Sequence, residues 1–153
     1  MRSLVLPVFV AIVWVVAASA ADVSDHVVIL PPSEGPTMIK QCSRSGPAEV
    51  TGFWLPSLAD VAASEKRLQK LLRDSGREID LGNSYRQYIG IVSGGKKLIY
   101  VNAFSGTILV HPGFRTSWKK EALVACDGGE IFWGVEFDPV TQSFAHLAFN
   151  GRI

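Results

Sequence analysis

The chain has 153 residues, 48% of them hydrophobic, with 15 Lys+Arg against 14 Asp+Glu. That length suits one domain with its own core. A formal charge of +1 excludes a strong bulk attraction to nucleic acid or to a membrane surface.

The first twenty residues carry a lone Arg2, an apolar run over 4–18 and the small residues Ala18-Ser19-Ala20-Ala21. This is the order of a secretory signal peptide: charged n-region, short h-region, small-x-small cleavage site. The run is about 15 residues, shorter than the roughly 20 a membrane-spanning helix needs, so no transmembrane anchor is expected after cleavage. Cleavage after Ala20 or Ala21 leaves a mature single domain, 21–153, that is secreted or periplasmic. Without Arg2 it carries 14 Lys+Arg against 14 Asp+Glu.

The mature part holds both cysteines, Cys42 and Cys126. In an oxidising compartment they are expected to pair as a disulfide. The rival reading, a Cys126 nucleophile served by His111 or His146, lacks a local protease signature and requires two free thiols in an exported chain.

Residues 22–56 contain Pro31-Pro32, Gly35-Pro36, Gly46-Pro47 and Pro56. Such punctuation leaves room for short elements only, at 26–30 and 49–54, with a helical turn at 37–42 after Pro36. This is an N-terminal arm with short strands. Residues 57–153 then form the main α+β unit.

Ser57 with Asp60 three residues on is a capping pair. Leu58, Val61, Ala62, Leu68, Leu71 and Leu72 follow at spacings of three and four, interrupted by Glu65, and Gly76 offers a left-handed stop, so the spacing predicts a helix over 58–75. On its far side Lys66, Lys70, Arg73 and Arg77 make a basic stripe, read as a solvated face.

Strand-type patterns occupy 87–92 and 97–104, and Gly94-Gly95 between them supplies the positive φ values of a tight hairpin. The register sets Ile89 opposite Tyr100 and Ile91 opposite Leu98. Both faces of this hairpin are largely apolar, so each needs a cover: the helix on one side, the arm, a partner or a ligand on the other. A homodimer through this hairpin is one such partner. Further strands are expected over 121–126, 130–137 and 144–149, the last after the Asx-type turn Asp138-Pro139-Val140-Thr141.

The fold class is therefore α+β, one long helix packed on a curled antiparallel sheet of four to five strands. This order of elements resembles the cystatin-like roll. Where a cystatin has its inhibitory Gln-x-Val-x-Gly, this chain reads Gln87-Tyr88-Ile89-Gly90, so the resemblance implies no protease inhibition. The stretches Gln41-Cys42-Ser43-Arg44, Tyr85-Arg86-Gln87-Tyr88, Ile99-Tyr100-Val101-Asn102-Ala103-Phe104 and Cys126-Asp127-Gly128-Gly129 with Phe132-Trp133-Gly134-Val135 are similar to a set of uncharacterised exported bacterial proteins. That similarity implies export and carries no activity with it.

Residues 105–120 form the longest segment between patterned elements and carry His111, Arg115 and Trp118. They are the candidate binding residues, with Trp118 as apolar anchor, and Asp127 joins them from the Gly-Gly turn. The plainer alternative makes 107–110 a short strand and the rest a structural crossover. Glu130 and Glu136, six apart on one strand, would stand roughly 20 Å apart, too far for a glycosidase pair. His146 is read as a half-buried core residue. His26, His111 and His146 have no companions at ligand spacing, so neither a metal nor a cofactor is expected. The composite reading is a non-enzymatic exported binding or accessory domain, with no catalytic residues assigned. Its partner would be an envelope or extracellular protein, a glycan or a small apolar ligand, and not nucleic acid. The alternative is a small envelope-acting hydrolase using residues 105–120 with Asp127 or His146.

Overall fold

A computed structural model describes residues 24–151. The expected signal peptide and its cleavage site lie outside them. The class is α+β, built on one six-stranded mixed sheet. In chain order the elements are β1 (Val27–Ile29), α1 (Gly35–Met38), β2 (Val50–Trp54), α2 (Leu58–Asp74), β3 (Ser84–Ser93), β4 (Lys96–Ser105), α3 (Pro112–Ser117), β5 (Phe132–Asp138) and β6 (Ser143–Phe149).

The hairpin β3–β4 has the register read from its sequence, with Ile89 opposite Tyr100 and Ile91 opposite Leu98. β5 and β6 extend the sheet beyond β4 in antiparallel order. On the other side of β3 two short arm strands lie end to end. β1 pairs parallel with Arg86, Gln87 and Tyr88, and β2 pairs antiparallel with residues from Gly90 to Ser93. The sheet is thus mixed and six-stranded, where an antiparallel sheet of four to five was expected, because neither arm strand alone is long enough to cover a ten-residue β3.

α2 begins with a full capping box: the Asp60 amide donates to Ser57 Oγ at 3.2 Å, and the Ser57 amide donates to Asp60 Oδ2 at 3.3 Å. It ends ahead of Gly76, whose φ is +71°. Val61, Leu68 and Leu72 are buried with Tyr88, Ile99, Val101, Trp133, Val135 and Phe137 of the sheet. Glu65 breaks the apolar stripe for a reason visible only in three dimensions. Arg86 Nε and Nη2 donate to its two oxygens at 2.7 and 2.8 Å, and Tyr88 OH donates to it as well. A bidentate pair of this kind fixes orientation as well as charge.

The opposite sheet face is covered by the chain itself. Leu30, Met38, Ile89, Ile91 and Tyr100 form one cluster there, and Phe104, Trp118, Leu123 and Phe132 another. Cys42 and Cys126 are disulfide-bonded, joining the arm to the segment that crosses this face.

Three expectations are corrected. Residues 121–126 form no strand. β3 and β4 already have neighbours on both edges, so this segment lies across the face and side-chain amides satisfy its backbone. Gln87 Nε2 donates to Glu121 O at 2.7 Å, and the Leu123 amide donates to Gln87 Oε1 at 2.9 Å. The strand expected over 130–137 starts later, at Phe132, after a 3-10 turn over Gly129–Ile131. His146 is not half-buried: its side chain is 75% exposed, since an extra residue in β6 opposite Gly134 and Glu136 puts it at φ +55° and turns it outward. The Asx turn forms, with Asp138 Oδ1 accepting from the Val140 and Thr141 amides at 2.8 and 3.2 Å. Those amides, Thr141's first, hold the Asp138 carboxyl below its usual range.

Candidate functional site

Residues 105–120 fold as a 3-10 turn over Gly106–Val110 followed by α3, rather than as an extra strand. Pro112 opens the helix, where its missing amide hydrogen is not needed. His111 and Arg115 are exposed on this segment. Trp118 is not. It is 2% exposed, edge-on to Tyr85 at 5.1 Å and to Phe104 at 6.0 Å, and its carbonyl accepts from Gln87 Nε2 at 2.6 Å. An indole buried in this way presents almost no surface to a partner, contrary to the exposed anchor expected from its long loop.

Asp127 borders a different feature, a cleft of about 760 Å³ at the end of the sheet beyond the α2 C-terminus. None of His111, Arg115 or Trp118 lines it. One wall is the connection from α2 to β3, with Glu78, Ile79 and Asp80. The facing wall is the turn ahead of β5, with Asp127, Glu130 and Ile131. The floor is the cross-strand pair Ser84 and Ser105 beside Trp133.

Local chemistry explains both walls. Asp80 Oδ1 caps the 3-10 turn Leu81–Asn83 by accepting from the Gly82 amide at 2.8 Å. Gly128 has φ +93°, and a Cβ there would stand 2.6 Å from the Phe132 ring, so the facing wall requires glycine at this position. Arg77 joins the walls through an ion pair with Glu130.

Among the described residues four carboxylates line the cleft, and no Lys or Arg does. Glu130 has Arg77 and Asp80 has its cap. The side chains of Glu78 and Asp127 have no hydrogen bond or ion pair with any described residue. Ser84 is 2% exposed and its Oγ has no hydrogen-bond partner among the described residues.

A second polar group was not anticipated as a unit. Arg44, 7% exposed, donates from Nη1 to Asn150 Oδ1 at 2.7 Å, from Nε to Tyr100 OH at 3.3 Å, and from Nη2 to Asn102 Oδ1. Asn102 Nδ2 in turn donates to Gln87 Oε1 at 2.9 Å, and Asn150 Nδ2 to Ala125 O at 2.8 Å. Gly134 leaves room for this: a Cβ would stand 2.4 Å from Tyr100 OH and 3.1 Å from Arg44 Nε. The sequence signal was the stretches around Gln41, Gln87, Asn102 and Cys126, which meet here. The hub ties the arm to β4 and to the chain after β6.

The two carboxylates excluded as a glycosidase pair have separate partners, Glu130 with Arg77 and Glu136 with His146 Nδ1 at 3.0 Å. Among the described residues no group of three or more His, Cys, Asp or Glu could hold a metal ion. No helix among them is long and apolar enough to cross a membrane. No family model, curated protein or solved structure matches the chain.

Proposed function

We propose that this protein is an exported, non-enzymatic binding domain whose ligand seat is the cleft bounded by Glu78, Asp80, Asp127 and Glu130. The observation that carries the reading is the pair of carboxylates, Glu78 and Asp127, without partners among the described residues, in the walls of an open cleft floored by Ser84 and Ser105. Pre-formed concave sites with few polar groups on rigid elements are where small ligands bind. The binding residues are therefore moved from the exposed His111 and Arg115 to the cleft, with Asp127 kept. The hydrolase alternative would need His111 or His146 beside Asp127, and His146 Nδ1 is engaged by Glu136. Export is supported by the signal-like N-terminus and by the Cys42–Cys126 disulfide, which suits an oxidising compartment. The cystatin-like roll remains our reading of how the sheet wraps α2, by element order.

Two experiments test this. N-terminal sequencing of protein from its native host should begin at residue 21 or 22, and intact Met1 would refute cleavage. In amide NMR, a small-molecule library should shift Ser84, Ser105 and Gly128 together. Shifts confined to residues 106–117 would move the site to that segment.

A further inference from the structure

We infer that the cleft takes an aliphatic ammonium group, carried by a free amine or by the tip of a lysine side chain. This rests on the cleft being the ligand seat and names the chemistry that the seat accepts. The first observation is charge. Glu78, Asp80, Asp127 and Glu130 face one space, and the adjacent cations are already engaged, Arg77 by Glu130 and Arg86, beneath Ser84, by Glu65. A cleft lined by one sign of charge over low-dielectric walls concentrates ligands of the opposite sign.

The second observation is independent of charge. Ser84 is directly opposite Ser105 at the end of β3 and β4, on the cleft floor, and its buried Oγ has no partner. A buried hydroxyl left unpaired costs stability and is an acceptor held in reserve. An ammonium group carries three donors around one nitrogen, enough for a carboxylate on each wall and the serine oxygen beneath. Ile79 and Ile131 give the methylenes behind it an apolar surface. A neutral polyol would leave the carboxylates uncompensated, and an anion would be repelled by them.

Calorimetry on the full chain tests the assignment with three probes: butane-1,4-diamine, the matched neutral butane-1,4-diol, and Nα-acetyl-lysine amide. The diamine should bind and the diol should not. Preference for the lysine amide over the diamine would identify a protein or peptide as the source of the amine, and the reverse a free amine. Asp127→Asn and Glu78→Gln should each weaken amine binding by about tenfold, whereas Asp74→Asn, outside the cleft, should change it less than about twofold. Ser84→Ala gives a readout that bulk electrostatics does not move. It should weaken binding about three- to tenfold while leaving the melting temperature of the free protein unchanged or higher, because the hydroxyl it removes has no partner. Equal binding of diol and diamine would overturn the ammonium assignment and leave a cleft that binds neutral ligands. Amine binding insensitive to Asp127→Asn, Glu78→Gln and Ser84→Ala would overturn it as well. No heat with any probe, together with no cleft shifts from the library, would remove the cleft reading with it.

Discussion

Against one face of the sheet lies a single helix that covers an apolar cluster, Val61, Leu68 and Leu72 on Tyr88, Ile99 and Trp133. Against the other lie pieces of chain with little regular structure, tied down by a disulfide, the buried Arg44 and a series of side-chain amides. The first face is stabilised by apolar area that periodicity arranges. The second includes irregular backbone, whose polar groups must each find a partner before they can be buried. The two faces should therefore fail differently: the helix face through cavities, the arm face through loss of cross-links and of polar satisfaction.

The largest expected effect is on the arm face. Replacing Cys42 and Cys126 together by Ser reopens a loop of 84 residues, and chain entropy sets the loss at about 4.6 kcal/mol. Denaturant titration of the double variant checks it, and a loss under about 1 kcal/mol would mean that the amide network alone holds the arm.

Trp118→Ala and Leu68→Ala then compare the faces directly. The first should cost about 3–5 kcal/mol and the second about 2–5 kcal/mol, since both side chains are buried in apolar clusters. A melting midpoint unchanged by Trp118→Ala would return Trp118 to the surface and contradict the packing described.

Arg44→Lys keeps the charge and loses the fork. It should cost about 1–3 kcal/mol, because an ammonium cannot reach Tyr100, Asn102 and Asn150 at once. If the variant unfolds at the wild-type denaturant midpoint, the hub is not a stabilising element.

Alkaline pH probes both faces. Burial, then the nearby Glu65 carboxylate, pushes the Tyr88 phenol well above its usual value on the helix face. Burial raises Tyr100 on the arm face, with Arg44 partly opposing it. The folded chain keeps these protons while unfolded tyrosines release theirs, so the contribution is whole below about pH 10 and is lost as pH rises above it. Urea midpoints should fall as pH rises above about 10, and Tyr88→Phe should flatten that fall. An unchanged slope would contradict the assignment.

The smallest effect belongs to the solvated stripe. Lys70 is exposed and pairs only with Asp74 one turn on, so Lys70→Ala should change stability by less than about 0.5 kcal/mol. A loss equal to that of Leu68→Ala would mean the helix face is misassigned.

Much of the helix face was legible because its code is local. Ser57 and Asp60 make the capping box, the leucine spacing marks the buried side, and Gly94-Gly95 sets the hairpin register. The arm face was legible only in its cross-link. The apolar stretch within 121–126 reads as a strand, yet the backbone there is satisfied by Gln87, Asn102 and Asn150, residues distant in sequence. Trp118 looked like a surface anchor because its loop is long, and nothing local indicated that Tyr85 and Phe104 would enclose it. His146 was misread since strand alternation cannot register one extra residue opposite Glu136. Of the candidate site only Asp127 was found. Glu78 and Ser84 lie 49 and 43 positions before it and meet it only through the fold.

If the Glu78 and Asp127 carboxylates are a ligand seat rather than ordinary surface acids, an amine should settle between them. A crystal structure of the protein grown with butane-1,4-diamine tests it most directly. An ammonium nitrogen is expected between the Glu78 and Asp127 walls, within hydrogen-bond distance of Ser84 Oγ. Diamine bound against residues 106–117, with the cleft empty, would contradict it.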